Sequence, residues 1–394
     1  MACVLPTVGA SDALAATDTL VEVGRAATVH NTVTAMAYDR DGTALVFAGG
    51  DGGIIDVFRI GDDGTLIDVE KQPLEQRRGP GRGFVAAEVD GKHFLFAGNK
   101  GGDAIEVFEI AEDGQLERVS ITLDTADTHI AVVITLRVVR TPEGAFLYAG
   151  GLEFDTPGLT CYRIAADGSL EHVQSMPDTD ELHTDGIIAM WDTTIDGARY
   201  LVTGGFQDNG ISSFRLNDDG TFENVSNIAD NKTDRYLTGT YPLDGVTLGG
   251  NHYVVVGHRH HKYYKRGNFI KQTDFVYHGD AVSVFKLESD GTLVPHSLLI
   301  DDESTKLQGQ TRIEVLKIDE HQAIIAVGTK DDASIQLARL DAEGILTPTG
   351  QTSPVFEIYY GLASITHDGN HYIFAGSVEN SVKELVSYRV ETAE

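Results

Sequence analysis

Seven times along the chain, a short apolar run closes on a small residue and a glycine. It reads LVFAG ending at Gly49, FLFAG at Gly98, FLYAG at Gly150 and YLVTG at Gly204, then YVVVG at Gly257, IIAVG at Gly328 and YIFAG at Gly376. Each run is followed by an alternating segment with an aromatic in one column: Phe58, Phe108, Tyr162, Phe214, Phe285 and Tyr388, with Ala338 as the exception. The next column is charged throughout: Arg59, Glu109, Arg163, Arg215, Lys286, Arg339 and Arg389. In six units an acidic turn follows at Gly64, Gly114, Gly168, Gly220, Gly291 and Gly344. Period-two alternation bounded by Asp-Gly and Gly-Gly predicts antiparallel strands joined by tight hairpins. Self-similarity at about fifty residues, with four strand-length segments per unit, predicts an all-β, seven-bladed β-propeller.

The ends of the chain point to how the ring closes. The seventh unit stops at Tyr388-Arg389-Val390, short of a fourth strand. The segment Asp18-Thr19-Leu20-Val21-Glu22-Val23 matches the fourth-strand column and is expected to complete the last blade, covering an edge that an open ring would expose. Residues 1–17 then form a loose tail and 18–394 a single propeller domain. The tail lacks a basic n-region, and Asp12 interrupts its apolar stretch, so a secretory signal is not expected and a cytoplasmic location is. A secreted or periplasmic chain that has already been processed stays open. No apolar run approaches the roughly twenty residues a membrane-spanning helix needs, so membrane insertion is not expected. Of the two cysteines, Cys161 stands in a column otherwise held by valines and is expected to be a core thiol, which leaves no disulfide framework.

Sixty acids against thirty bases give a formal charge of −30, which argues against nucleic acid as a partner. The interest lies in local reversals of that charge. The four strands of a blade are lettered from the inside out: A, then B ending on the repeated glycine, C with the aromatic, and D. Antiparallel order puts the B–C loops and the connections from strand D to the next strand A on one face, and the short A–B and C–D turns on the other. The variable face is where function is expected. In blade five the B–C segment from Gly257 to Phe285 is more than twice as long as in any other blade. It carries Arg259, Lys262, Lys265, Arg266 and Lys271 with His258, His260, His261 and His278, several aromatics, and only Asp274 as an acid before Asp280. The connection before blade two, Arg77-Arg78-Gly79-Pro80-Gly81-Arg82, is also basic and maps to the same face. A cationic, aromatic-bearing mouth on an acidic disc suits a small anionic carbohydrate or organic acid.

Candidate catalytic residues follow from that placement. His30, His129 and His183 precede inner strands near the central channel and can titrate near neutral pH. Tyr236 and Tyr241 can supply an acid or base, and Arg235 can clamp a carboxylate bidentately. Arg77, Arg78, Arg82, Arg259, Arg266, His258 and His260 are the expected substrate-binding groups. No cofactor is expected. A metal on His258, His260 and His261 is the alternative, since imidazoles two apart share a strand face, but adjacent cations disfavour a divalent ion. His93, His252 and His371, at the start of B strands, are expected to be structural.

The ΦΦΦ-small-Gly strand, the alternating strand with its aromatic and the DGTL-type turn together resemble the lactonase-like propellers, which include 6-phosphogluconolactonases and cycloisomerases of carboxylated small molecules. The resemblance runs from Thr19 to Val390 in scaffold columns and assigns no catalytic residue. It implies a lactonase-like hydrolase acting on a sugar acid or lactone. Two alternatives stand beside it: a uronate lyase with a His or Tyr base and an Arg-neutralised carboxylate, and a non-catalytic binding or assembly disc. The oligomeric state is left open.

Overall fold

The computed structural model describes residues 17–75, 81–152, 156–231, 233–259, 264–265, 268–269, 280–351, 356–379 and 381–392. Seven four-stranded antiparallel sheets make up the propeller. Blade one runs outward through Thr32–Arg40, Thr43–Gly50, Ile54–Ile60 and Leu66–Pro73. The other inner strands are Gly81–Val89, Val133–Thr141, Ile187–Ile195, Thr240–Leu248, Gln310–Lys317 and Leu362–His367. Each contacts its neighbours around the ring, and the last meets the first. No helix long and apolar enough to cross a membrane occurs among the described residues.

The repeated columns build the contacts between blades. Phe58, Phe108, Phe214 and Phe285 are wholly buried, and Phe58 packs with Tyr372 and Phe374 of the preceding blade. Burying each such ring stabilises the fold by roughly 1.5–3 kcal/mol. In six blades the C–D pairing shifts register immediately before this column, as between Val57 and Phe58 or Ser213 and Phe214. The turn glycines allow close approach. Gly220 sits at φ +87°, and a Cβ there would lie 2.2 Å from the Phe146 ring. Cys161 is buried at the centre of blade three, and that burial pushes its thiol up to about 12.

Closure follows the expected route. The strand Thr19–Ala27 lies outside Glu384–Glu391 in the sheet that holds the last inner strand. Just before it, the buried Asp18 accepts two hydrogen bonds from Arg339 of blade six, at 2.9 Å from Nε and 2.6 Å from Nη2. The N-terminal segment is therefore joined to two blades at once.

Candidate active site at the channel mouth

Inner strands enter the channel through β-bulges. Register shifts occur between Arg82 and Phe84, Val133 and Thr135, Ile187 and Ala189, and Thr240 and Leu243. An inserted residue re-aims side chains without breaking the sheet, and here it gathers Ile134, Ile188 and Tyr241 into one cluster with Phe206 and Tyr360. Gly83 makes the bulge of blade two possible: its φ is +63°, and a Cβ would stand 2.4 Å from the Ile134 carbonyl oxygen.

On this aromatic floor lie two arginines. The Arg82 guanidinium stacks 5.0 Å from the ring centre of Tyr359 and 4.9 Å from that of Tyr360. Arg259 stacks 4.8 Å from Tyr359 and 5.2 Å from Tyr241. Both arginines are only 7% exposed, neither has a carboxylate partner among the described residues, and both Nε atoms lack a hydrogen-bond partner. Desolvating an ion costs several kcal/mol. A desolvated cation–π contact returns about 2 kcal/mol, so the rings, together with the Tyr359 hydroxyl that both guanidiniums engage, offset only part of that cost. An anion at this place would offset the rest.

The electrostatics single out Tyr359. Burial raises its pKa, but the flanking Arg82 and Arg259 charges outweigh burial and hold it down to about 8. Its neighbours go the other way: burial raises the phenols of Tyr241 and Tyr360. Tyr359 is also the less buried of the adjacent pair. Lys100, in the B–C loop of blade two, adds a third cation, kept below its ordinary value by burial and by repulsion from Arg82. Tyr360 has a φ of +147°, a backbone conformation that costs a non-glycine residue energy. Thr311 donates to the carbonyl of Ile358 at 2.7 Å, and Gly376 donates to that of Gly361 at 2.7 Å, holding the strained segment from both sides.

Next to this cluster is a cavity of about 290 Å³, lined in part by Arg82 and Tyr360. An ionic layer crosses it. Arg312 donates to Glu314 at 2.8 Å, Ser364 donates to the other oxygen of Glu314 at 2.9 Å, and Asp244 accepts from the Val315 amide at 3.1 Å. Burial, then the Glu314 charge, pushes Asp244 up to about 6.

Of the residues picked from the sequence, Arg82, Arg259 and Tyr241 come together here. His129, His183 and Tyr236 instead occupy one repeat column. Their amides donate to Thr160, Ser212 and Ser283 at 2.9, 2.9 and 3.1 Å. The His129 and His183 rings lie over Gly158 and Gly210, at the start of third strands, and His30 lies over Gly50 and Gly52. None of the three histidines lines the channel cavity. For His129 and His183 the physical reason is the anchored amide, which turns the side chain outward over the third strand; in blade one the anchored amide is that of Val29, on Asp56. Arg235 donates to the Ala229 carbonyl at 2.8 Å. His258 is buried, stacks on Tyr236 at 5.7 Å and stands 3.8 Å from Asp280. Arg77, Arg78, His260, His261 and Arg266 lie outside the described residues.

Sequence reasoning missed Tyr359 and Tyr360, although an adjacent tyrosine pair just before an inner strand was a usable signal. It also missed Asp178, Asp185 and Asp208, whose carboxylate oxygens lie within 4.8 Å of one another. Those acids serve the loops: Asp178 accepts from the Thr184 hydroxyl at 2.6 Å, and Asp208 accepts from the Asp185 amide at 2.7 Å. Asp178 also accepts from the Thr184 amide, and Asp124 with the Ile130 amide and Asp301 with the Leu307 amide repeat that contact in other blades.

Among solved structures, a Lactobacillus plantarum protein superposes with a TM-score of 0.60 at 15% identity, over 83% of this chain and 86% of its own. A candidate 6-phosphogluconolactonase from Bacteroides uniformis superposes at 0.58 and 14% identity, over 83% and 86%. The likeness is one of scaffold. A Desulfotomaculum acetoxidans protein of unknown function gives 0.54 at 11% identity, over 86% and 92%. No family model matches the chain, and no curated protein matches it. The seven-bladed propeller is thus the architecture on which the mouth is built, and such an architecture hosts many chemistries.

Proposed function

We propose that the chain is an enzyme that hydrolyses the lactone of a small carboxylated or polyhydroxylated sugar acid at the upper channel mouth. The observation that carries this reading is the pair of buried guanidiniums, Arg82 and Arg259, which flank Tyr359 with no carboxylate partner among the described residues. Arg side chains bind carboxylates and developing oxyanions with charge-assisted hydrogen bonds. Tyr359, held down to about 8 beside them, has a fraction of its phenol ionised near neutral pH and can serve as the base. Water attacks the acyl carbon as Tyr359 takes its proton, and the tetrahedral oxyanion faces the guanidiniums. The acyl–oxygen ring bond then breaks, Tyr359 returns the proton to the leaving alkoxide, and the hydroxy acid is the product.

A panel of aldonolactones assayed by hydroxamate loss should show turnover, with Tyr359→Phe lowering kcat by about a hundredfold, at the low end of general acid–base effects. A Tyr359→Phe variant as active as the wild type would remove the phenol from the mechanism. No turnover of any lactone, together with formation of an unsaturated product from a uronate, would replace hydrolysis with elimination at the same clamp.

A further inference from the structure

The channel continues toward the face of the short turns, into a second cavity of about 560 Å³ lined by Tyr38, Glu88, Arg137, Arg140 and Asp192. Tyr38 lines both cavities. Its hydroxyl is 2.7 Å from Nδ1 of His93, and Nε2 of that ring is 3.1 Å from a carboxylate oxygen of Asp41. His93 is buried, whereas Asp41 is on the surface at the tip of the first A–B turn. With the Nε2–H directed to Asp41, Nδ1 is the acceptor and receives the tyrosine O–H. The Tyr38 oxygen then keeps lone pairs that can accept a further hydrogen bond.

We propose that Tyr38, His93 and Asp41 form a proton relay serving a second site in the lower channel, which takes a small, weakly acidic oxygen acid such as a phenol or an enol. The ligand O–H proton passes to the Tyr38 oxygen as the tyrosine proton passes to Nδ1 of His93. No other bond is made or broken. Asp41 stabilises the imidazolium, and the ligand anion meets Arg137 and Arg140. Arg137 holds Asp192 through Nε, and Arg140 donates to the Glu88 carbonyl through one Nη, so each keeps further N–H groups. Burial, then the Glu88 charge, pushes the Tyr38 phenol up to about 12; Asp41 adds to that, and Arg140 and Arg40 act against it. A phenol that stays protonated passes a proton on without holding a charge.

A contrast within the fold sharpens the assignment. Thr193 occupies in blade four the inner-strand column that Tyr38 holds in blade one, and it meets Nδ1 of His252 at 2.9 Å. Thr193 lines neither cavity, and Nδ1 of His252 is shared with the Thr247 hydroxyl at 2.8 Å, so that bond only joins two blades.

The test uses 4-nitrophenol and the full-length protein, read by phenolate absorbance at a pH where the free probe is half ionised. The wild type should give a saturable rise in phenolate. Tyr38→Phe and His93→Asn should each weaken it about tenfold or more, as expected for loss of a charge-assisted contact, while Thr193→Val leaves it unchanged. Nitrogen NMR of His93 should show the ring gaining a proton as the probe binds. Should Tyr38→Phe fail to fold, His93→Asn decides. Ionisation of the probe by either variant to the wild-type extent, or a His93 ring indifferent to it, would reduce the trio to an inter-blade tie. Displacement of the probe by gluconate filling the upper mouth would also overturn the proposal.

Discussion

The contact that joins the N-terminal strand to the ring can be broken with one isosteric change. Asp18→Asn keeps the volume of the buried carboxylate but removes the charge that receives both Arg339 hydrogen bonds. A charge-assisted hydrogen bond contributes roughly 1.5–3 kcal/mol. Because the Arg339 side chain is 28% exposed and can recover water, the lower part of that range applies, about 2 kcal/mol. For a chain of this size the unfolding entropy is about 0.8 kcal/mol per kelvin, so the melting temperature should fall by about 2–3 °C. A double-mutant cycle with Arg339→Ala isolates the pair. Calorimetry should return a coupling energy well above that of Arg25 with Glu384, an exposed pair between the N-terminal strand and Glu384–Glu391 that is worth less than about 1 kcal/mol. Proteolysis of the N-terminal segment should accelerate in Asp18→Asn. A coupling energy near zero with unchanged proteolysis would show that strand pairing alone closes the ring, and the argument from Asp18 would fail.

Two pH dependences follow from the shifted groups. Tyr359 is held down to about 8, below the ordinary tyrosine value near 10; its stabilising contribution is therefore full above about 10 and lost as pH falls through 8. The melting difference between wild type and Tyr359→Phe should grow between pH 8 and 10 and level off below 8, and a difference constant across that range would refute the assignment. Asp208 behaves in the opposite sense. Burial, then the Asp178 charge, raises it to about 7, so the wild type loses stability as pH rises through that value. Asp208→Asn should melt higher than wild type at pH 8 and equally at pH 4, and no gain at pH 8 would mean that its carboxylate is not under strain.

The scaffold was legible because it is written in repeats. A column such as Phe58, Phe108 and Phe214 recurs under one packing constraint, and the fourth-strand column at Thr19–Val23 showed where the ring closes. The site was only partly legible. Arg82 and Arg259 stood out as cations on an acidic chain, yet nothing in their spacing placed both of them against one tyrosine. That juxtaposition brings together blades two, five and seven, and depends on bulges that periodicity does not reveal. The histidines drew attention by residue type, while the side-chain direction of His129 and His183 was set by an amide bond to Thr160 and Ser212 in strand C. The Tyr38–His93 contact was hidden for a related reason, since each residue is ordinary in its own strand and the pair exists only across a blade boundary.

Titration calorimetry of gluconate against the wild type and the Arg82→Ala, Arg259→Ala double variant tests the anion clamp most directly. The wild type should bind one equivalent, with affinity falling as salt is added, because charge pairs are screened over about 10 Å at 0.1 M. The double variant should bind at least about tenfold more weakly while melting within a few degrees of the wild type, since no buried carboxylate loses its partner. Equal affinity in both proteins, or no binding of any carboxylated sugar by the wild type, would contradict the clamp.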